Sequence, residues 1–345
     1  MSIGIGVIGA GRIAQSAHLP AIAKCAGVRL VALYDPSPEL RTQVARRHAV
    51  VDAATLEELL ADPSIEAVIV AVPDRLHLPI AAAALGAGKH VLVEKPLAST
   101  VDECRELQDH AQRSGLVLQV GAMKRHDPGV RFAAEAVRER IGPVLSASIW
   151  YRVMSALRPP VEATYFPAMI VDERVRESEA AHKADRSTYL LATHGAHVLD
   201  GLRFLLGDPV ELCARRAISG ADHSWHGLAC LGDGGLAGFE ITANVHGEWS
   251  EGAEICGERG TVRLRAHFPV TLRPSDVEVF DEATGRIERP VFADSNPYRL
   301  QLEAFARSIR DGAPVEPDAA DGLAAVRLIE AVGRSLDSGG AWVAP

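Results

Sequence analysis

The sequence predicts an α/β protein of two domains, a doubly wound domain with a parallel sheet followed by a second α/β domain built on a mostly antiparallel sheet. Up to about residue 121, short β-branched runs alternate with helix-length amphipathic stretches, the pattern of a parallel sheet covered by helices. Beyond a helix pattern at 129–140 the runs lengthen and alternate apolar with polar residues, as strands with one solvated face do. With 345 residues, 48% hydrophobic and 23% charged, the chain is long enough and apolar enough to bury two cores.

In the first domain, taken as 1–122, the expected strands are 3–8, 29–34, 67–71, 90–93 and 116–120. Each is a nearly continuous apolar run, as a strand covered on both faces requires. In the second, taken as 123–345, the expected strands are 144–153, 210–217, 228–231, 236–245, 254–256, 261–264 and 277–280, with a glycine-rich turn at 232–235. The stretch 154–186 is rich in proline and charge and keeps no period, which reads as a long loop or lid over a site. Two helix patterns, 299–310 and 319–335, close the chain ahead of a short strand at 341–343. These last helices are expected to pack back on the first domain.

Composition narrows the partners. A net charge of −9 with dispersed basic residues offers no nucleic-acid face. The first apolar run is too short for a membrane span and lacks a basic lead, so a cytoplasmic location is expected. The five cysteines have no CxxC spacing and read as reduced thiols in the core.

Gly9-Ala10-Gly11-Arg12-Ile13-Ala14 follows the first strand directly and opens a helix. That context makes it a dinucleotide-binding turn: Gly9 for the bend, Gly11 for approach of the backbone to a pyrophosphate, Ala14 for close helix packing. The phosphates would meet the helix N-terminus. Asp35 ends the second strand, where a carboxylate can accept from ribose hydroxyls and repel a 2′-phosphate. This favours NAD over NADP. Two features weigh the other way: Asp35-Pro36-Ser37-Pro38 also makes a turn, and Arg12 or Arg41 could serve a phosphate. Val72 and Pro73 end the third core strand at the edge where the crevice should lie.

At Glu94-Lys95-Pro96 the sequence resembles the Gfo/Idh/MocA family of oxidoreductases, and the likeness covers nearly the whole chain. It runs in order through Gly9 to Ala14, His18-Leu19-Pro20-Ala21, Pro73-Asp74 with His77, Ala87 to Val91, Glu94 to Leu97, Gly195-Ala196-His197-Val198-Leu199-Asp200 and the closing helices. The resemblance implies a Rossmann domain, then an α/β domain with a large open sheet. It also implies homodimers or homotetramers formed through that sheet's outer face, and a carbohydrate or polyol substrate. Among its cofactor residues it places Val72, Pro73, His77, Glu94 and Lys95.

The resemblance makes Lys95 catalytic, and Lys95 stands just past a core strand at the crevice edge. Its bland alternative is pairing with Glu94 or another carboxylate. His197 matches the family's acid/base or substrate-binding histidine, and an imidazole suits proton exchange near neutrality. Four residues earlier the family commonly has Asp where this chain has Thr193. Threonine can share a hydrogen bond but holds no charge, so Lys95 is expected to carry the proton, with His197 relaying it and Thr193 orienting a hydroxyl. His194 shares a helical face with His197; the pair has metal spacing but no third ligand, and no metal is expected. Lys124, Arg125 and Asp127 are substrate candidates or else a solvated turn. Tyr151, Arg152 and Tyr165 are weaker ones, and His77 reads as structural rather than catalytic. The favoured function is an NAD-dependent dehydrogenase or reductase acting on CH–OH groups. Its rivals are a sugar-modifying enzyme that recycles tightly held NAD and a nucleotide-sensing regulator on the same fold.

Overall fold

A computed structural model describes residues 2–154, 164, 166, 168–268 and 271–345. It divides into two compact units, Met1–Met123 with Phe166–Asp185 and Tyr298–Val326, and Lys124–Tyr165 with Arg186–Pro297 and Arg327–Pro345.

In the first unit six parallel strands, β1 (Ile3–Ile8), β2 (Val28–Tyr34), β3 (Val51–Asp52), β4 (Ala67–Val70), β5 (His90–Glu94) and β6 (Leu118–Gly121), lie in the order β3-β2-β1-β4-β5-β6. The order reverses between β1 and β4, the switch point at which such sheets open a crevice. Alternate residues feed separate cores: Val68, Val70, Val91 and Val93 on one face, Ala67, Ile69 and Leu92 on the other. The helices start where their sequences cap them. Ser37, Thr55 and Thr100 accept from the amides of Leu40, Glu58 and Glu103, and Glu58 and Glu103 reach back to the amides of Ala54 and Ser99. Such reciprocal caps satisfy donors that a helix start leaves open.

The second unit holds β7 (Val144–Met154), β8 (Pro209–Ser219), β9 (Asp222–Leu231), β10 (Leu236–Val245), β11 (Ser250–Gly257), β12 (Gly260–Ala266), β13 (Asp276–Asp281) and β14 (Arg286–Glu288). Their order is β14-β13-β12-β11-β7-β10-β9-β8, antiparallel at every pairing except β7 with β10. One face packs its buried residues, among them Trp225, Phe239 and Ile255, with those of helices Pro128–Glu139 and Arg186–Leu206. The other face shows Leu145, Leu236, Phe280 and Ile287.

Three expectations need correction. The two-residue β3 and three-residue β14 are too short to leave a run. The stretch expected to be a loop at 154–186 contains the helix Glu173–His182, and a second helix starts at Arg186. Glu173–His182 buries none of its residues, so it shows no apolar period; its Asp172 cap accepts from the amides of Arg174 and Val175. The final strand reduces to one bridge between Val343 and Leu212. None of the five cysteines forms a disulfide, but only Cys25 and Cys104 are buried, Cys213, Cys230 and Cys256 being half-buried rather than in the core; burial, followed by the charge of Glu303, pushes the Cys25 thiol up to about 11.

Candidate functional site

The first unit carries a dinucleotide cradle. Gly9 has φ +97°, and a Cβ there would lie 2.3 Å from the Ala71 carbonyl oxygen, so no other residue fits the bend. At Gly11 a Cβ would meet nothing within 4 Å. The open side of that backbone therefore leaves room for a ligand, and helical turns run on from residue 12 to 24. Arg12 is exposed, Ile13 half-buried and Ala14 fully buried, as tight packing of the turn requires.

Asp35 is buried, its Oδ2 accepting from Ala10 N–H at 2.8 Å and its Oδ1 from Ser37 N–H at 2.9 Å. Burial, partly offset by these two donors, raises its carboxyl above the ordinary range. Both oxygens thus have backbone partners, yet each keeps lone-pair capacity for a hydroxyl. An open glycine backbone beside a carboxylate at the end of β2 fits a nicotinamide dinucleotide. Val72 and Pro73 follow β4. His77 is fully buried, with Nε2 3.0 Å from the Val72 carbonyl and Nδ1 2.7 Å from that of Pro96, so its ring ties the loop after β4 to the loop after β5.

At the end of β5, Glu94 Oε1 lies 2.8 Å from His18 Nε2, and Oε2 accepts from Lys95 N–H at 3.2 Å. The edge of the His18 ring meets Tyr298. Burial pushes the Glu94 carboxyl up, but the hydrogen bond and charge of His18, with Lys95 and His77, hold it below the usual range. Lys95 itself is half-buried and joined to Pro96 by a cis bond. Because the folded-state pKa of Glu94 is depressed, its contribution to stability is present above the unfolded value and is lost as pH falls through the folded one. Thermal melts should therefore separate wild type from Glu94→Gln most at neutral pH. The gap should narrow as pH falls below about 4.3, and a gap independent of pH would contradict this.

The second unit carries an aromatic and cationic cluster. The Tyr151 ring stacks on His194 and His197, with centroids 5.6 and 5.1 Å away; helix Arg186–Leu206 sets both histidines on one face, as their spacing predicted. Trp249 packs edge-on to Tyr151 and to Phe268. Lys124 Nζ is 5.4 Å from the Tyr151 ring centroid and 5.1 Å from that of Trp249, and it pairs with Glu251. Thr193 and His197 are half-buried and His194 is buried.

Two candidates have partners within the fold. Arg125 makes a forked, buried pair with Asp200, at 2.6 to 3.1 Å, over the Phe204 ring. Asp127 caps helix Pro128–Glu139 through the amides of Gly129 and Val130, and it also accepts from Ser275 N–H. Arg152 pairs with Glu240 near the surface, and Tyr165 lies outside the described residues. Trp249, Glu251 and Phe268 carried no sequence signal, since Trp249 and Glu251 stand at the start of β11 and Phe268 just past β12, in a run that reads as ordinary strand and turn. Among the described residues no group of three His, Cys, Asp or Glu side chains could hold a metal ion, and no helix is long and apolar enough to cross a membrane.

A parallel sheet with this glycine turn and carboxylate is the architecture of a nicotinamide-dinucleotide-binding domain. Family models agree: one described as an oxidoreductase family with an NAD-binding Rossmann fold matches residues 3–122, and its C-terminal alpha/beta domain matches 174–344. The chain belongs to the Gfo/Idh/MocA family. It is 28% identical over 330 residues to a 1,5-anhydro-D-fructose reductase of Ensifer adhaerens, covering 92% of this chain and 91% of that one. It is 29% identical over 358 residues to an inositol 2-dehydrogenase of Acidothermus cellulolyticus, covering 98% and 93%. Among solved structures, an aldose-aldose oxidoreductase from Caulobacter crescentus complexed with glycerol superposes with TM-score 0.81 at 22% identity, covering 100% of both chains, a likeness of fold.

Proposed function

We propose that this protein moves a hydride between a nicotinamide dinucleotide, NAD in preference to NADP, and a hydroxyl or keto carbon of a sugar, glycoside or inositol-like polyol. The observation that carries the reading is Lys95, half-buried at the carboxyl end of β5 with its backbone N–H held by the buried Glu94–His18 pair. The glycine turn and Asp35 hold the nucleotide, which supplies the hydride acceptor when bound.

Lys95 takes the hydroxyl proton during oxidation and returns it during reduction. Glu94 fixes the direction of the Lys95 backbone. His197 keeps the role that the family resemblance implies, relay of the proton, and Thr193 that of orienting a hydroxyl. Tyr151 and Trp249 offer aromatic surface, which suits the apolar face of a ring polyol, while Lys124 and His194 supply polar contacts. Homodimers or homotetramers would form through the exposed face of the eight-stranded sheet, and the enzyme would work in the cytoplasm.

The test is nicotinamide absorbance on mixing the protein and NAD with a panel of inositols, hexoses, glycosides and sugar acids, with NADP run in parallel. Steady formation of NADH with at least one polyol is expected. Binding of nucleotide without turnover on any of them would move the assignment to a recycling enzyme or a sensor.

A further inference from the structure

The segment 166–185 belongs to the same compact unit as the nucleotide cradle and is tied to it at three points. Gln15 accepts from Ile170 N–H at 2.9 Å and donates to the Ile170 carbonyl at 2.8 Å, while also donating to the Ala10 carbonyl. Ser37 Oγ donates to Asp172 at 2.5 Å. Arg75 forms a forked pair with Glu179 at 2.7 and 3.0 Å. Gln15, Ser37 and Arg75 follow β1, β2 and β4, three neighbouring strands. The segment therefore runs along the carboxyl edge of the sheet, where the dinucleotide belongs.

The middle tie concerns the ribose end. Beyond Asp35 the chain turns at Ser37 into helix Pro38–His48, whose first amides and dipole would welcome a 2′-phosphate. The hydroxyl there and one of the two arginines that could serve a phosphate are already engaged: Ser37 donates to Asp172, and Arg41 pairs with Asp52. Asp172 brings a carboxylate held below the ordinary range, first by the Ser37 hydrogen bond, and it acts on Asp35 as a like charge.

We propose that Asp172 is a specificity-determining residue of the nucleotide site, a second carboxylate that the 166–185 segment delivers through Ser37 to exclude a 2′-phosphate. The inference rests on the NAD reading above. It predicts that Asp35 alone does not account for the discrimination. A 2′-phosphate would have to displace the Ser37–Asp172 hydrogen bond and settle beside two carboxylates, whereas a free ribose hydroxyl meets neither obstacle.

Affinities for NADH and NADPH, measured by nicotinamide fluorescence without substrate, test it in the wild type, Asp172→Asn, Asp172→Ser and Asp35→Asn. Asn and Ser both cap helices, so Glu173–His182 should stay folded in either variant. Both Asp172 variants should gain about tenfold in NADPH affinity and stay within about threefold of wild type for NADH, the gain shrinking at high salt. An unchanged NADH to NADPH ratio in both, with a ratio shifted in Asp35→Asn, would overturn the role of Asp172 and leave the NAD reading standing. Equal loss of affinity for both nucleotides would also overturn it, since the segment would then be only a brace. A wild type that prefers NADPH would remove the NAD reading and the inference together.

Discussion

Lys95→Met should bind NADH as the wild type does and lose about 10²–10⁴-fold in kcat/KM, the usual worth of a positioned acid or base. Methionine keeps the length and much of the apolar stem of lysine, so the half-buried stem of residue 95 stays packed while the amine is removed. Glu94, paired with His18, holds the residue 95 N–H through the backbone rather than the side chain, so the local fold should persist. Stopped-flow measurement of nucleotide binding, beside steady-state rates on the best polyol, separates the two effects. Full turnover by Lys95→Met would pass the proton to His197, whereas parallel loss of binding and turnover would make Lys95 a cofactor ligand only.

Asp200→Ala should destabilise the second unit by about 3–5 kcal/mol, the cost of leaving a buried partner charge uncompensated. Arg125 is only 5% exposed and Asp200 8%; the guanidinium lies in fork geometry on the carboxylate and over Phe204. Denaturant melts monitored on the tryptophans would report it, since Trp225 is fully buried in that unit's core. The double substitution Arg125→Met with Asp200→Leu should recover most of the loss, because no charge then remains to be desolvated. A single substitution that costs less than about 1 kcal/mol, the scale of an exposed pair, would show that water reaches the pair.

Strands buried on both faces were the most legible part of the fold. A run such as 67–70 has no polar residue to interrupt it, and the structure returns it as β4 with every residue buried. Where polar side chains share a strand, the run breaks up: β9 begins at Asp222 although its apolar signal starts only near 228, because His223, Ser224 and His226 lie between. The helix Glu173–His182 was invisible for a different reason, as it is held by a cap and by ion pairs such as Arg75–Glu179 rather than by an apolar stripe. In the candidate site, Gly9 was legible because the bend needs its positive φ, and Gly11 and Asp35 because they stand at fixed places in a dinucleotide-binding pattern. Arg125 and Asp127 were harder, since a charged residue beside a turn looks the same whether it awaits a ligand or caps a helix, and their partners Asp200 and Ser275 lie far along the chain.

The first unit has its own schedule. Its cores include Leu302, Phe305 and Ala306 on one face and Ala319, Leu323 and Val326 on the other, and Val120 N–H donates to the Pro317 carbonyl. Ribosomes make these residues nearly two hundred positions after β6, at about 5–20 residues per second. For that interval the parallel sheet waits with apolar patches uncovered on both sides. The nascent Rossmann half can therefore complete its two cores only when these late residues have emerged.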